Sequence, residues 1–200
     1  MPDTAIDGLR HRRYPKWLWV VVAVPPIAAV VITQLAPEPH GHWTEHLADV
    51  AFKTVQLLVL AVLATLVSWR SGRPLLLVAV AVVAVVAVGI VIQASGSLQV
   101  ARSIWRTSGD PGFGIGYAAG HDRSESGDLI VLLGGFVFAG LVGFGRLVPA
   151  RLAVLAAVTA VIPPPFLWPA AGILVVLLYT LTSKATAATA KSAALLDSGP

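Results

Sequence analysis

The sequence contains no cysteine and few charged residues. Without cysteine there can be no disulfide bond, thiolate metal site or cysteine nucleophile. Only 12% of the residues are charged, whereas 56% are hydrophobic, and the mean hydropathy is +0.81. Water-soluble domains average about 25% charged residues. The composition therefore excludes an ordinary soluble domain and indicates an integral membrane protein.

The length limits what such a protein can contain. A spanning helix needs about 20 apolar residues, so 200 residues accommodate about five or six membrane segments with short loops. We predict an all-α, polytopic transmembrane helix bundle without a folded extramembrane domain. Residues 1–16 are expected to form a basic cytoplasmic tail, 17–182 the single transmembrane domain and 183–200 a flexible tail.

The basic residues indicate topology and not nucleic-acid binding. They cluster beside the hydrophobic runs, at 10–16, 70–73 and 146–151. Because cytoplasmic loops carry an excess of Lys and Arg, these clusters place the N-terminus inside. The first hydrophobic run, Trp17 to Ala36, is longer than the core of a signal peptide and is interrupted by Pro25-Pro26. It is therefore interpreted as an uncleaved first span.

Three further runs predict spans, at Leu47 to Trp69, Pro74 to Gln93 and Leu129 to Gly145. The third span is nearly pure Val, Ala and Leu, which is typical of a lipid-facing or packing helix. Between the third and fourth spans, Ala94 to Gly127 is the longest polar stretch, and alternation places it outside. Leu98 to Arg106 would continue as an amphipathic helix, whereas Gly109 to Gly120 is too rich in glycine to be regular.

The last apolar stretch, Leu152 to Thr182, is interrupted by three prolines, Pro163 to Pro165. Three consecutive prolines cannot lie inside an ordinary helix, because each lacks a donor and clashes with the preceding turn. Either one kinked helix crosses the membrane, or two short helices form a hairpin. The lysines of the tail, Lys184 and Lys191, favour the hairpin, with the C-terminus inside.

A histidine-rich segment opens the second span. On a helix, His42 and His46 are four residues apart and His46 and Asp49 three apart, so their side chains share one face. His121 lies in the polar stretch on the same side of the membrane. These three histidines form a candidate divalent-metal site, although the spacing matches no zinc signature. A polar cap facing water is the alternative, and no other cofactor is indicated.

Charged residues inside spans give the second candidate site. Asp49 and Lys53 are four residues apart, and charges within a span usually face the interior of the bundle and pair. Asp128 begins the fourth span at the same membrane face, and Arg123 precedes it. We predict that these four residues form one shallow external ligand-binding pocket. The alternative is that Lys53 extends its ammonium to water and Arg123 is simply solvated.

A stripe of small residues predicts close helix packing. Gly135, Ala139 and Gly143 repeat every four residues along the fourth span. The stripe would admit another helix, either a membrane-protein partner or a second copy of the chain.

One segment resembles a known family. Arg123 to Leu129, with the sequence RSESGDL, is followed by Gly134-Gly135 and Gly140, and resembles the late motif of the VanZ-like membrane proteins. Asp49, Phe52 and Lys53 are similar to the polar entry of a corresponding helix. The Glu and Gln of the preceding helix are represented only in part, by Gln93 and Gln99, and the usual Asn is missing. The resemblance implies an envelope protein, linked in some members to glycopeptide resistance, and no established reaction.

Three functions follow from these observations. The first is a small VanZ-like envelope protein that binds a cell-wall or lipid-linked ligand at its external face. The second is a structural or accessory subunit of a larger membrane complex. The third is a membrane enzyme or transporter that uses Asp49, Lys53, His46 and Asp128. The bias towards Ala, Val, Gly and Arg indicates a high-GC bacterium and its plasma membrane.

Overall fold

The computed structural model describes residues 43–107, 115–161 and 170–183. All regular structure in these ranges is helical, in agreement with the predicted class. The five described helices are α1 Trp43–Arg70, α2 Pro74–Arg106, α3 Ile115–Phe144, α4 Ala150–Thr159 and α5 Ala170–Ser183. The first three are long and apolar enough to cross a membrane. The first hydrophobic run, the N-terminal tail and the tail from Lys184 lie outside the described residues.

The turn between α1 and α2 is set by local chemistry. Arg73 is extended, with φ −106° and ψ 118°, as expected for a residue that precedes proline. Pro74 then occupies the first turn of α2, where its missing N–H costs nothing. The Ser71 hydroxyl bonds both the N–H and the carbonyl of Arg73. The turn therefore returns α2 alongside α1.

The prediction of an irregular segment at Gly109 to Gly120 is wrong from Ile115 onwards, whereas residues 109–114 lie outside the described residues. α2 continues through Gln93 to Arg106, which confirms the helix expected from Leu98 onwards. However, α3 begins at Ile115, so the segment up to Gly120 that was expected to be irregular is partly helical. Its glycines disfavour an isolated helix, but α2 and α3 pack closely along these extensions, and tertiary packing outweighs propensity.

Glycines seven residues apart line the interface between α2 and α3. A methyl group added at Gly127 would lie 2.6 Å from the backbone nitrogen of Gln93 and 2.7 Å from the carbonyl oxygen of Gly89. One added at Gly96 would lie 2.6 Å from the carbonyl oxygen of Gly120. The two backbones are thus in direct contact, which only glycine permits.

The stripe predicted from Gly135, Ala139 and Gly143 packs within the chain. Gly135 and Ala139 are buried, and a methyl group at Gly143 would lie 3.0 Å from Cβ of Ala153 on α4. The described residues therefore give this stripe an intramolecular contact. Docking of a second chain there stays a prediction.

The two short helices form an antiparallel hairpin. Gly172, near the start of α5, packs against Thr159 at the end of α4. Thr180 and Ser183, at the other end of α5, line the same cavity as Pro149, which precedes α4. α5 is buried on nearly every side. The hairpin interpretation thus agrees with the described helices, whereas the prolines at 163–165 lie outside the described residues.

Candidate polar binding site

The ion pair predicted from the spacing of Asp49 and Lys53 is present. The Lys53 ammonium donates to Oδ2 of Asp49 over 2.6 Å. Ser97 of α2 donates its hydroxyl to the same oxygen, also over 2.6 Å, and Lys53 Nζ lies 3.4 Å from Ser97 Oγ. Lys53 is 4% exposed, so its ammonium does not extend to water as the alternative supposed. The pair is instead turned towards α2.

A second polar contact joins α2 to α3. Gln93 donates from Nε2 to Oδ1 of Asp128, and both side chains are buried. The absence of a side chain at Gly127 makes room for Gln93, since a methyl group there would lie 2.7 Å from Cγ of Gln93. The close approach of the two helices therefore positions this contact.

The two contacts belong to one site, here called the polar cluster, which comprises Asp49, Lys53, Gln93, Ser97 and Asp128. Asp128 lies within electrostatic range of both Lys53 and Asp49. With every group in its usual ionised form, two carboxylates face one ammonium, so the cluster has an excess of negative charge and of hydrogen-bond acceptors.

One acceptor of the polar cluster has no partner among the described residues. Gln93 is 0% exposed, and its Oε1 atom is buried without a hydrogen bond. Nearly all buried polar atoms in proteins are hydrogen-bonded, because an unsatisfied one costs about 1–3 kcal/mol. An unpartnered oxygen beside a buried carboxylate is therefore suited to receive a donor from a bound molecule.

The cluster lies towards the end of the apolar part of each long helix. At 1.5 Å per residue, Asp49 is about 32 Å along α1 from Arg70, and Asp128 about 24 Å along α3 from Phe144. The hydrocarbon core of a bilayer is about 30 Å thick. If the arginine-bearing turns lie at one surface, the cluster lies just inside the opposite one.

Arg123 does not join the other three predicted ligand-binding residues. It is exposed on α3 and forms no ion pair with Asp49 or Asp128 in the structure as described. The predicted pocket of four charges is thus replaced by a buried cluster in which Asp49, Lys53 and Asp128 converge on α2.

The histidines are only partly brought together. His46 is half-buried and within electrostatic range of Asp49 and His121. The exposed His121 contacts Glu125, 3.1 Å from Nε2 to Oε1, and stacks on Tyr117. Within residues 43–107, 115–161 and 170–183 no three His, Asp or Glu residues are grouped to hold a metal. Because His42 lies outside these ranges, the metal site stays a prediction.

Sequence reasoning missed the roles of Gln93 and Ser97. Gln93 ends the run of Val, Ala and Leu that was interpreted as a lipid-facing or packing helix, and Ser97 follows it. A signal was present: Gln93 lies between Gly89 and Gly96, and Ser97 follows directly, so the polar residues adjoin the small residues that mark a helix contact. Glycines and glutamine at helical spacing indicate a polar interior face.

Comparison with known proteins gives no match to a family model, to a curated protein or to a solved structure.

Proposed function

We propose that this chain is a small, multi-spanning plasma-membrane protein of a bacterial envelope, related to the VanZ-like type. In this proposal the polar cluster binds the polar part of a cell-wall or lipid-linked ligand from the external side. The observation that carries the proposal is a buried cluster shared by three span-length helices, with an unpartnered acceptor on Gln93.

The energetic cost of the cluster supports a binding role. Charged residues inside a span are costly, by up to about 2.5–3.5 kcal/mol at its centre on insertion scales and by less near its ends, and they usually mark functional paths or sites. Lys53 and Asp49 offset part of this cost by pairing, but Asp128 is paired only with a neutral amide. If the cluster served only to join the helices, the pair of Asp49 and Lys53 would not require the carboxylate of Asp128 as well.

The composition of the cluster indicates which groups it would recognise. Its excess of acceptors favours a ligand rich in donors, such as the hydroxyl and ammonium groups of an amino sugar or short peptide. A lipid-linked molecule would present these groups at the membrane surface, and its chain would lie along the apolar flanks of the helices. The resemblance of residues 123–140 to VanZ-like proteins supports the same class of ligand.

Native mass spectrometry of protein extracted in mild detergent tests this proposal. We expect the parent to retain an adduct with the mass of a lipid-linked saccharide or peptide, and Asp128→Asn and Gln93→Leu to lose it. Asp122→Asn is the matched control, because Asp122 is an exposed carboxylate on the same helix. An adduct retained equally by all variants, or absent from the parent, would contradict the proposal.

Proton or cation transport is the second candidate function. The observation in its favour is the series of titratable and hydroxyl groups from Asp49 through Lys53 and Ser97, with Asp128 in electrostatic range. Intramembrane series of this kind occur in proton relays. In proteoliposomes with a pH-sensitive dye inside, transport predicts a proton flux that Asp128→Asn abolishes and Asp122→Asn preserves.

A further inference from the structure

A cavity lies at the opposite end of the bundle from the polar cluster. It measures about 510 Å³, within the usual range for small-molecule sites. Its polar lining consists of Arg73, Arg146, Tyr179, Thr180 and Ser183. This cavity is called the arginine pocket. It is formed where the α1–α2 turn, the end of α3 and the end of α5 meet.

Among the described residues, the arginine pocket contains two cations and no anion. The acidic residues of the described ranges all lie in the 45–49 and 122–128 segments, far along the helices from this pocket. Neither Arg73 nor Arg146 forms an ion pair within those ranges. Two guanidinium groups that share one cavity repel each other unless an anion joins them, and their planar, multiple donors match a phosphate group.

The backbone at Arg146 supports a specific role for this side chain. α3 ends in a Schellman motif, in which the Leu147 N–H bonds the Val142 carbonyl and the Arg146 N–H bonds the Gly143 carbonyl, each over 3.0 Å. The residue at the left-handed position of such a motif is usually glycine, but here it is Arg146, with φ 50°. Among the described residues Arg146 alone, apart from glycines, has a positive φ.

The glycine lies one residue earlier, at Gly145, where the side chain of Leu75 leaves no space for a methyl group. A left-handed conformation costs a residue with a side chain about 1–2 kcal/mol. Such strain persists mainly where the side chain has a function, and here the side chain lines the pocket.

We propose that the arginine pocket binds a phosphate group, held by Arg73 and Arg146 with the Tyr179 hydroxyl as a further donor. The hydroxyls of Thr180 and Ser183 already donate to backbone carbonyls, to Val176 and Thr180 respectively, so they contribute less. The phosphate belongs either to the headgroup of an anionic lipid or to a free phosphate compound. Basic pockets between membrane helices on the cytoplasmic side bind lipid phosphates in this way.

The test measures thermal stability and binding of the purified protein in a neutral detergent. The probes are dihexanoyl-phosphatidylglycerol, dihexanoyl-phosphatidylcholine and sodium phosphate. We expect the anionic lipid to raise the Tm and the zwitterionic lipid to leave it unchanged, because binding to the folded state alone is stabilising. Arg73→Gln and Arg146→Gly should each weaken binding at least tenfold.

The choice of variants distinguishes a loss of binding from a loss of folding. Arg146→Gly removes the charge while relieving the positive φ, so the variant should fold at least as well as the parent. Arg151→Gln is the matched control, since Arg151 is an exposed arginine near the same end and does not line the pocket. If phosphatidylglycerol binds and sodium phosphate does not, the ligand is a lipid headgroup; if both bind, it is a phosphate group in general. Equal effects of both lipids, or binding undiminished in Arg73→Gln and Arg146→Gly, would overturn the proposal.

Discussion

Lys53 shows how a single residue can be tied to both its own helix and the next. Its ammonium contacts Asp49 one turn away and Ser97 on α2, and it is almost fully buried. An ammonium in this position depends on its carboxylate partner, because burial removes hydration that only a nearby negative charge replaces. Asp49 depends less on Lys53, because the Asp49 side chain is 31% exposed.

We predict that Lys53→Met destabilises the protein by about 1–3 kcal/mol, the cost of leaving a buried hydrogen-bonding group without its partner. The partial exposure of Asp49 keeps the loss below that of a fully buried pair. The double variant Asp49→Leu, Lys53→Met removes both charges and should recover at least half of the loss. Thermal unfolding in detergent measures both. A single variant as stable as the parent would show that the pair contributes nothing.

The sequence predicted the contact within α1 but not the contacts between helices. The four-residue spacing of Asp49 and Lys53 is a local property, readable from one helix. The partners Ser97 and Gln93 depend on the register between helices, which glycines far along the chain determine. Arg123 does not join the polar cluster for a related reason: it lies five residues before Asp128, about 140° around α3, so it does not share the packed face.

At the scale of helices, the interface of α2 and α3 sets the register of the whole site. Gly89 and Gly96 face Gly127 and Gly120 at backbone distance. Contacts between backbones fix the register of two helices along their axes more firmly than contacts between flexible side chains do. Sequence reasoning identified the fourth span as small-residue packing but selected Gly135, Ala139 and Gly143. A second set of small residues, Gly120, Gly127 and Gly134, recurs every seven residues along α3. Only the path of α2 shows which of the two sets packs against that helix.

We predict a graded effect of glycine-to-alanine substitutions along α3. Gly127→Ala should cost about 3 kcal/mol or more, because the new methyl group would meet backbone atoms that cannot move independently. Gly134→Ala should cost less, since its close neighbour is a side-chain methyl group of Val86. Gly140→Ala is the control: its nearest atoms are 3.9 Å away, and helix propensity favours alanine by up to about 1 kcal/mol.

Unfolding midpoints of these three variants, measured in one detergent, check the order. Gly127→Ala should also lose the adduct in native mass spectrometry, because it displaces Gln93. Equal midpoints for Gly127→Ala and Gly140→Ala would show that α2 and α3 do not approach as described.

The hairpin of α4 and α5 allows a suppressor test. Gly172→Ala should be destabilising by about 1–3 kcal/mol, because its methyl group would overlap the hydroxyl of Thr159. Adding Thr159→Ala removes that hydroxyl and should restore part of the stability. The single variant Thr159→Ala completes a double-mutant cycle, which gives the coupling free energy between positions 159 and 172. If the cycle shows no coupling, Gly172 and Thr159 are not in contact.

At the scale of the whole molecule, charge is distributed unevenly between the two ends of the bundle. Arg70, Arg73, Arg146 and Arg151 lie at the end that includes the arginine pocket, and the described carboxylates lie towards the other. The chain therefore presents a cationic end and a mixed end. From the positive-inside bias we expect the cationic end to face the cytoplasm.

Single-cysteine labelling tests this orientation, and the sequence has no native cysteine that would have to be removed first. A cysteine at Gly72, where no atom lies within 4 Å of an added side chain, should react with an impermeant maleimide only after permeabilisation. One at the exposed Asp122 should react in intact cells. The opposite pattern would invert the topology, and reaction of both in intact cells would mean that the two ends are not separated by a membrane.

We predict that the chain emerges after α5 at the same end of the bundle as Gly72. α4 and α5 are about 15 Å and 21 Å long at 1.5 Å per residue, and both are shorter than a hydrocarbon core of about 30 Å, so we expect the hairpin to enter the membrane without crossing it. Ser183 returns to the arginine pocket, beside Arg73. Residues 184–200 are too few and too polar to cross again, because a span needs about 20 apolar residues.

A reporter fused after Pro200 should therefore lie on the same side as a cysteine at Gly72. Green fluorescent protein is expected to be fluorescent there and alkaline phosphatase inactive if that side is cytoplasmic. Because the comparison is with Gly72, it holds whichever way the bundle is oriented. A reporter on the side of Asp122 would mean that the last apolar stretch crosses as one kinked span, and Ser183 could not then share a cavity with Arg73.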